Sequence, residues 1–272
     1  MDDYPIKVGT MLFTMVDPEP GHEVDYNRWY ERDHFYAGCM IGKGWFAGRR
    51  WVAPRRLKDL RFPADSPFAS PVDAGSYLAI YWVLDGEVTE SFAWSSEQFA
   101  WLYRNDRGFH HRKHAHTTVY DLAGHRLADP EGVSLALALD HEYGGLVALS
   151  VEPVEGVSSD ELHRWLEAEA VPGLLAAPDV DQVSSWVVRT ALQQGPSPIP
   201  ANDPKVPRLA TSGGADDRVV QLAFTNGTPE GSWDAVRAYA AAVDAGGQGR
   251  LVFAAPFIPT IVGTDTYTDE LW

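Results

Sequence analysis

One cysteine, Cys39, occurs in 272 residues. That excludes a disulfide framework within the chain and any zinc site built on cysteine thiolates. A basic surplus is also lacking: 22 Lys and Arg face 38 Asp and Glu, for a net charge of −16. Gripping nucleic acid by its phosphates needs a basic surface, so that class of partner is excluded, and anionic membrane is disfavoured for the same reason. No apolar run approaches the ~20 residues of a membrane span. The opening MDDYPIKVGT lacks the basic and apolar regions of a signal peptide, so the cytoplasm is the expected location. There is no glycine-rich nucleotide motif and no G-x-S-x-G elbow.

What the chain does have is apolar and aromatic mass. Hydrophobic residues make up 45% and aromatics 12%, with ten tryptophans, enough for one large core or two ordinary ones. The stretch from Glu23 to Gly38 predicts an amphipathic helix. Tyr26, Trp29, Tyr30 and Ala37 share one stripe, and His34 lies four residues beyond Tyr30 on the same face. At an offset of 136 residues, Ser159 to Gly173 repeats it: Arg28-Trp29 matches Arg164-Trp165, Glu31 matches Glu167, and acidic Asp33 matches acidic Glu169. His34, however, matches Ala170.

Both halves predict the order β-α-β-β-α-β. In the first, strands are expected at Ile6–Val16, Trp45–Ala53, Ser76–Leu84 and His114–Leu122, with a second helix at Ser95–Asp106 capped by Ser95 or Ser96. In the second, strands are expected at Gly145–Pro153, Val183–Thr190, Arg218–Thr225 and Leu251–Val262. Its helices are a capping-box helix from Ser158-x-x-Glu161 and another at Trp233–Asp244. Pro54–Gly75 and Gln193–Asp217 are Pro-rich loops at matching places; the second is longer, which raises the offset to about 142 after it. The expected fold class is α+β: two ferredoxin-like repeats, residues 1–128 and 145–272, joined by a linker at 129–144. Each sheet would carry helices on one face only, so the two bare faces should cover each other in a pseudo-twofold barrel.

The segment DYNRWYERDHF, just after a first strand, resembles the dimeric α/β-barrel superfamily, especially EthD-like proteins with a helix of the type W-x-x-x-H. Trp29 and His34 are the matching positions, with one more residue between them here. The resemblance covers nearly the whole chain as topology and about a dozen residues as motif. It implies a fold and a pocket. Its activities range over cofactor-free monooxygenases, polyketide cyclases, lactone isomerases, haem-dependent dehydratases and members with no known activity.

Strict alternation in the fourth strand would put His114, His116, Thr118 and Tyr120 on one face, pointing into the barrel. At the 142 offset His114 and His116 become Pro256 and Ile258, so the first half is expected to be the working one. His34 would act as general acid/base, with His114 or His116, Tyr120 and Asp33 polarising or orienting the substrate. Trp29, Tyr30, Trp45, Trp51, Tyr81 and Trp82 would wall in a flat apolar molecule. The structural alternatives are a helix-end His34 bonded to a backbone carbonyl, a solvated HHRKHAH loop, tryptophans that are simply core, a solvated or helix-terminal Asp33, and a Cys39 that is a small buried hydrophobe. No metal site and no bound cofactor are expected, although haem or a metal on His114 and His116 stays open, since no sequence signature marks one axial histidine. The expected function is a small-molecule lyase, isomerase or cyclase acting on a hydrophobic, aromatic or polycyclic substrate. The alternatives are a cofactor-independent monooxygenase and a non-catalytic binding protein; the chain would work as a monomer or a homodimer.

Overall fold

The structure, a computed structural model, describes residues 6–189, 203, 205–207 and 217–272. The described elements are β1 (Val8–Pro18), α1 (Glu23–Trp29), β2 (Trp45–Val52), α2 (Arg55–Lys58), β3 (Tyr77–Leu84), α3 (Val88–Arg104) and β4 (Arg112–Leu127) in the first half. The second half has β5 (Gly145–Pro153), α4 (Ser159–Trp165), α5 (Val171–Leu175), β6 (Val180–Val188), β7 (Val219–Thr225), α6 (Trp233–Gly246) and β8 (Gly249–Pro259). The capping box forms: Ser158 N–H donates to Glu161 Oε2 at 2.9 Å and Glu161 N–H to Ser158 Oγ at 3.3 Å. Among the described residues no helix is long and apolar enough to cross a membrane.

The strands close into one barrel in the order β1-β3-β2-β8-β5-β7-β6-β4, antiparallel throughout. It consists of two four-stranded sheets of the same internal order, β4-β1-β3-β2 and β8-β5-β7-β6, each the ferredoxin-like arrangement. Joining them edge to edge leaves no free strand edge. One seam is long, running from Tyr120↔Val188 to Leu127↔Gln182; the other has only Trp51↔Pro259 and Val52↔Ile258.

Both sheets carry the same irregularity. Between Met15 and Val16 the β1–β4 register skips Ala115, and between Ser150 and Val151 the β5–β8 register skips Val252. A bulge of this kind adds one residue to a strand and turns the side chains beyond it to the other face. Matching the two bulges pairs His114 with Leu251 and His116 with Phe253. These, rather than Pro256 and Ile258, are the true counterparts.

The interior is a packed core. Phe13, Trp51, Trp82, Trp186, Phe224 and Phe253 are all fully buried. Trp82 of the first half lies on Trp186 of the second, 4.8 Å apart at 20°. Chain segments close both ends. The Pro54–Gly75 excursion, expected as a loop, contains α2 and sends Phe68 inward, 3.7 Å from the His116 ring and 4.8 Å from Phe253. At the other end the connecting segment buries Leu135, Ala138, Leu139 and Tyr143, with Tyr143 packed 5.2 Å from Phe224. Phe68 therefore sits between two equivalent positions, one from each half.

Three expectations shift. α3 starts at Val88 rather than Ser95, and Ser95 and Ser96 are interior, not caps: their hydroxyls bond the carbonyls of Gly38 and Phe92. β4 runs on to Leu127 because β6 pairs with its far end. The expected Gln193–Asp217 loop falls mostly outside the described residues.

Phe68→Ala should lower the unfolding free energy by about 3–5 kcal/mol, the cost of emptying an aromatic site in a core that cannot collapse around it. Urea titration checks this. A loss below about 1 kcal/mol would show that the excursion does not plug the barrel.

Candidate active site

The aromatic helix widens after Trp29. Tyr30–His34 and Tyr36–Met40 are π-helical, and the second half widens at the matching Leu166–Ala170. Such turns are frequent at functional sites. The turn presents His34 in one half and Ala170 in the other.

His34 lies between the helices and the outer face of the sheet, not inside the barrel. Its ring stacks on Trp29 at 4.9 Å and 19°, with Tyr30 edge-on at 4.9 Å and Phe99 at 6.3 Å. The side chain is half-buried. No hydrogen bond joins it to any described residue, so it is not a helix-end ring bonded to a carbonyl. A Cβ on Gly38 would stand 3.2 Å from His34 Nδ1, so the glycine makes the room the ring occupies. The second half reverses the sizes, with Ala170 and fully buried Leu174 at the matching positions. Burial first, and then the charges of Arg112, His114 and Arg50, hold His34 well below the ordinary imidazole range. It is a neutral ring at pH 7, able to accept a hydrogen bond and a weaker base than a free imidazole.

The bulge at Ala115 separates the two other histidines. His114 faces outward, on the same side as His34, with Nδ1 2.8 Å from Thr117 Oγ1 and 3.4 Å from Thr14 Oγ1. Strict alternation therefore fails, and His114 does not share a face with His116. Its Nε2 is buried without a partner among the described residues.

His116 points into the barrel with Tyr120. The Phe68 carbonyl, 3.2 Å away, can only accept, so Nδ1 carries the proton. Tyr120 then donates to Nε2 at 2.7 Å. Burial pushes His116 down to about 3 and drives the Tyr120 hydroxyl up.

The remaining predicted residues divide the same way. Trp51 and Trp82 are interior core. Trp29, Tyr30, Trp45 and Tyr81 lie in the helix–sheet layer: Tyr30 and Tyr81 hydroxyls meet at 2.9 Å, and Trp45 packs 5.8 Å from Tyr81. Asp33 is buried rather than solvated, and its carboxylate is taken up by arginines: Arg32 Nε donates to it at 2.7 Å and Arg107 Nη2 binds the other oxygen. It is a structural anchor for the turn. Cys39 is buried, with burial pushing its thiol up to about 12, which makes it the inert hydrophobe expected.

Periodicity put Phe99 on the apolar face of the second helix but not at this site, and it did not flag Phe109, which completes the ring cluster with it, or two arginines. Arg112 lies 4.5 Å over Trp29. Arg50 is buried, 4.5 Å over Tyr30 and 5.1 Å over Tyr77, and donates to Asn27 Oδ1 at 2.9 Å. An arginine within the apolar strand WFAGRRWV was the available signal. A groove of about 570 Å³ lies between the end of β4 and α5, lined by His125, Arg126, Leu127, Pro172 and Leu175, and includes none of the predicted residues.

No family profile and no curated protein sequence matches this chain. Among solved structures, a candidate chlorite dismutase aligns over 98% of this chain and 100% of its own, at 8% identity and a TM-score of 0.53. An anthrone oxidase-like protein covers 96% and 98%, at 12% identity and 0.49. A haem-bound DypB variant from Rhodococcus jostii covers 100% and 98%, at 9% identity and 0.45. The chain has the ferredoxin-like dimeric α/β-barrel fold. At these identities the likeness is one of fold alone.

Haem was left open by the sequence, and the three predicted histidines do not fit an axial ligand. Such a ligand needs a free nitrogen facing a cleft as wide as the macrocycle. Both nitrogens of His116 are bonded and Phe68 covers its ring. The free nitrogen of His114 is buried among side chains, and His34 is packed against Trp29, Tyr30 and Phe99. A metal shared by His114 and His116, left open by the sequence, does not fit their opposite facing.

His116 makes stability depend on pH. Its unfolded ring titrates near 6.5 and its folded ring near 3, so the folded state resists protonation. Its contribution is full above pH 6.5 and falls as pH drops towards 3, by about 1.4 kcal/mol per pH unit. Urea unfolding between pH 6.5 and 5 should show His116→Gln with a slope smaller by about one proton; an unchanged slope would refute the assignment.

Proposed function

We propose that the chain is a small-molecule enzyme whose first half, residues 1–128, acts on a hydrophobic ring compound with His34 as the proton acceptor. The second half, residues 145–272, supplies the other wall of the barrel, with 129–144 as linker. The observation that carries this reading is the His34 imidazole itself: neutral, half-buried, without a hydrogen bond to any described residue, and laid flat on Trp29. A core histidine is ordinarily hydrogen-bonded; this one keeps its acceptor available beside an aromatic surface.

In this reading Trp29, Tyr30 and Phe99 form the aromatic walls, and Tyr81 with Trp45 holds Tyr30 in place. His114, steadied by Thr117, is the second imidazole. Asp33 fixes the turn through its arginines. His116, Tyr120, Trp51 and Trp82 act from the barrel interior by holding β4 and its neighbours in register. The chemistry is removal of a proton from an activated carbon or hydroxyl, which suits a lyase, isomerase or cyclase and asks nothing of a bound cofactor. The W…H helix of EthD-like proteins supports the same reading. With a net charge of −16, the ligand is a small molecule rather than nucleic acid.

The test is a panel of phenolic polycyclic ketones, with turnover, oxygen uptake and tryptophan fluorescence followed together. His34→Ala should lower kcat/KM at least about 10²-fold while fluorescence-detected binding stays within a few-fold. Turnover that consumes oxygen would make the protein a cofactor-independent monooxygenase using the same base. Binding with no turnover in the unaltered chain would make it a carrier, and full activity in His34→Ala would remove His34 from the reaction.

A further inference from the structure

Three ligating side chains converge outside that site. Glu19 lies in the turn after β1, His22 at the start of α1 and His111 just before β4, 89 residues beyond His22. One oxygen of Glu19 and one nitrogen from each ring all fall within 4.8 Å of one another. His111 Nδ1 is 2.9 Å from Glu19 Oε2, and the two imidazoles lie parallel, 3.8 Å apart at 3°. Main-chain bonds hold the group together. Glu19 N–H donates to the His111 carbonyl at 2.9 Å, and His22 N–H donates to the Glu19 carbonyl at 3.0 Å. The three backbones are thus set in place by the end of the β1–β4 ladder and the first turn of the helix, before any ion arrives.

We propose that Glu19, His22 and His111 form a site for one divalent transition-metal ion. Two neutral imidazoles and one carboxylate suit a borderline cation such as zinc or cobalt(II), whereas calcium and magnesium require mostly oxygen donors. Metal–ligand distances of about 2.0–2.2 Å require the parallel rings to swing until their nitrogens converge. Glu19 and His111 are exposed and His22 is half-buried at the surface, so that rotation meets little resistance. Asp25 Oδ2, 3.9 Å from His22 Nδ1, is a further oxygen within reach. The ion would clip the turn after β1 to the start of β4. Phe109, two residues before His111, packs 5.4 Å from Trp29. The clip therefore holds the rim of the ring cluster. The proposal does not depend on any activity of His34.

The full chain, stripped with chelator and dialysed, is titrated with cobalt(II) and followed by its visible absorption, then challenged with zinc; thermal unfolding is measured with and without zinc. One equivalent should bind, zinc should displace cobalt, and zinc should raise Tm. His22→Ala and His111→Ala should each weaken binding at least about tenfold, while His125→Ala, at another exposed histidine, should leave it unchanged. Far-ultraviolet circular dichroism confirms that the variants are folded. Absence of binding in the unaltered chain, or equal binding by the His22→Ala/His111→Ala double variant, would overturn the site.

Discussion

A ferredoxin-like sheet has helices on one face and nothing of its own on the other, and covering that second face is the constraint on which this structure depends. Neither half can cover it alone. Joined at both edges, the two sheets bury each other's bare faces, and the contact is aromatic: Trp82 on Trp186, Trp51 by Phe224, and Phe68 between His116 and Phe253. Filling the interior with rings leaves it a core. His34 is thereby left outside the barrel, in the layer between helices and sheet. The same packing explains why His116 and Tyr120, polar though they are, end as a closed donor–acceptor pair with no open side.

The duplication preserved backbone devices more faithfully than side chains. Both halves keep a bulge at the same place in the first and last strands of the repeat, and both keep a π-helical turn after the tryptophan of the first helix. What differs is the filling. His34 over Gly38 in one half answers Ala170 beside Leu174 in the other, and His116 answers Phe253. A repeated backbone with exchanged volumes is how one half can hold an imidazole in a space the other fills with a leucine.

Much of this was legible beforehand. The β-α-β-β-α-β order, the doubling, the capping box at Ser158 and the mutual covering of two sheets all follow from local periodicity and from the repeat. The asymmetry at His34 against Ala170 was visible from the offset alone. The grouping of His114 with His116 was not legible, because a bulge depends on which strand lies alongside, and neither Ala115 nor its neighbours carry a mark of it. The burial of Asp33 was not legible, because its partner Arg107 is distant in the chain. The cluster of Glu19, His22 and His111 escaped notice for the same reason: spacing along the sequence says nothing about two loops that meet at the end of a sheet.

The sequence by itself determined the elements, their order, the duplication and the single-sidedness of the histidines, since these rest on side-chain period and on comparison of one stretch with another. Only the tertiary structure decided which way each ring faces. Facing reverses with every added residue in a strand or turn, and whether a residue is added is settled by pairing and packing between segments far apart in the chain.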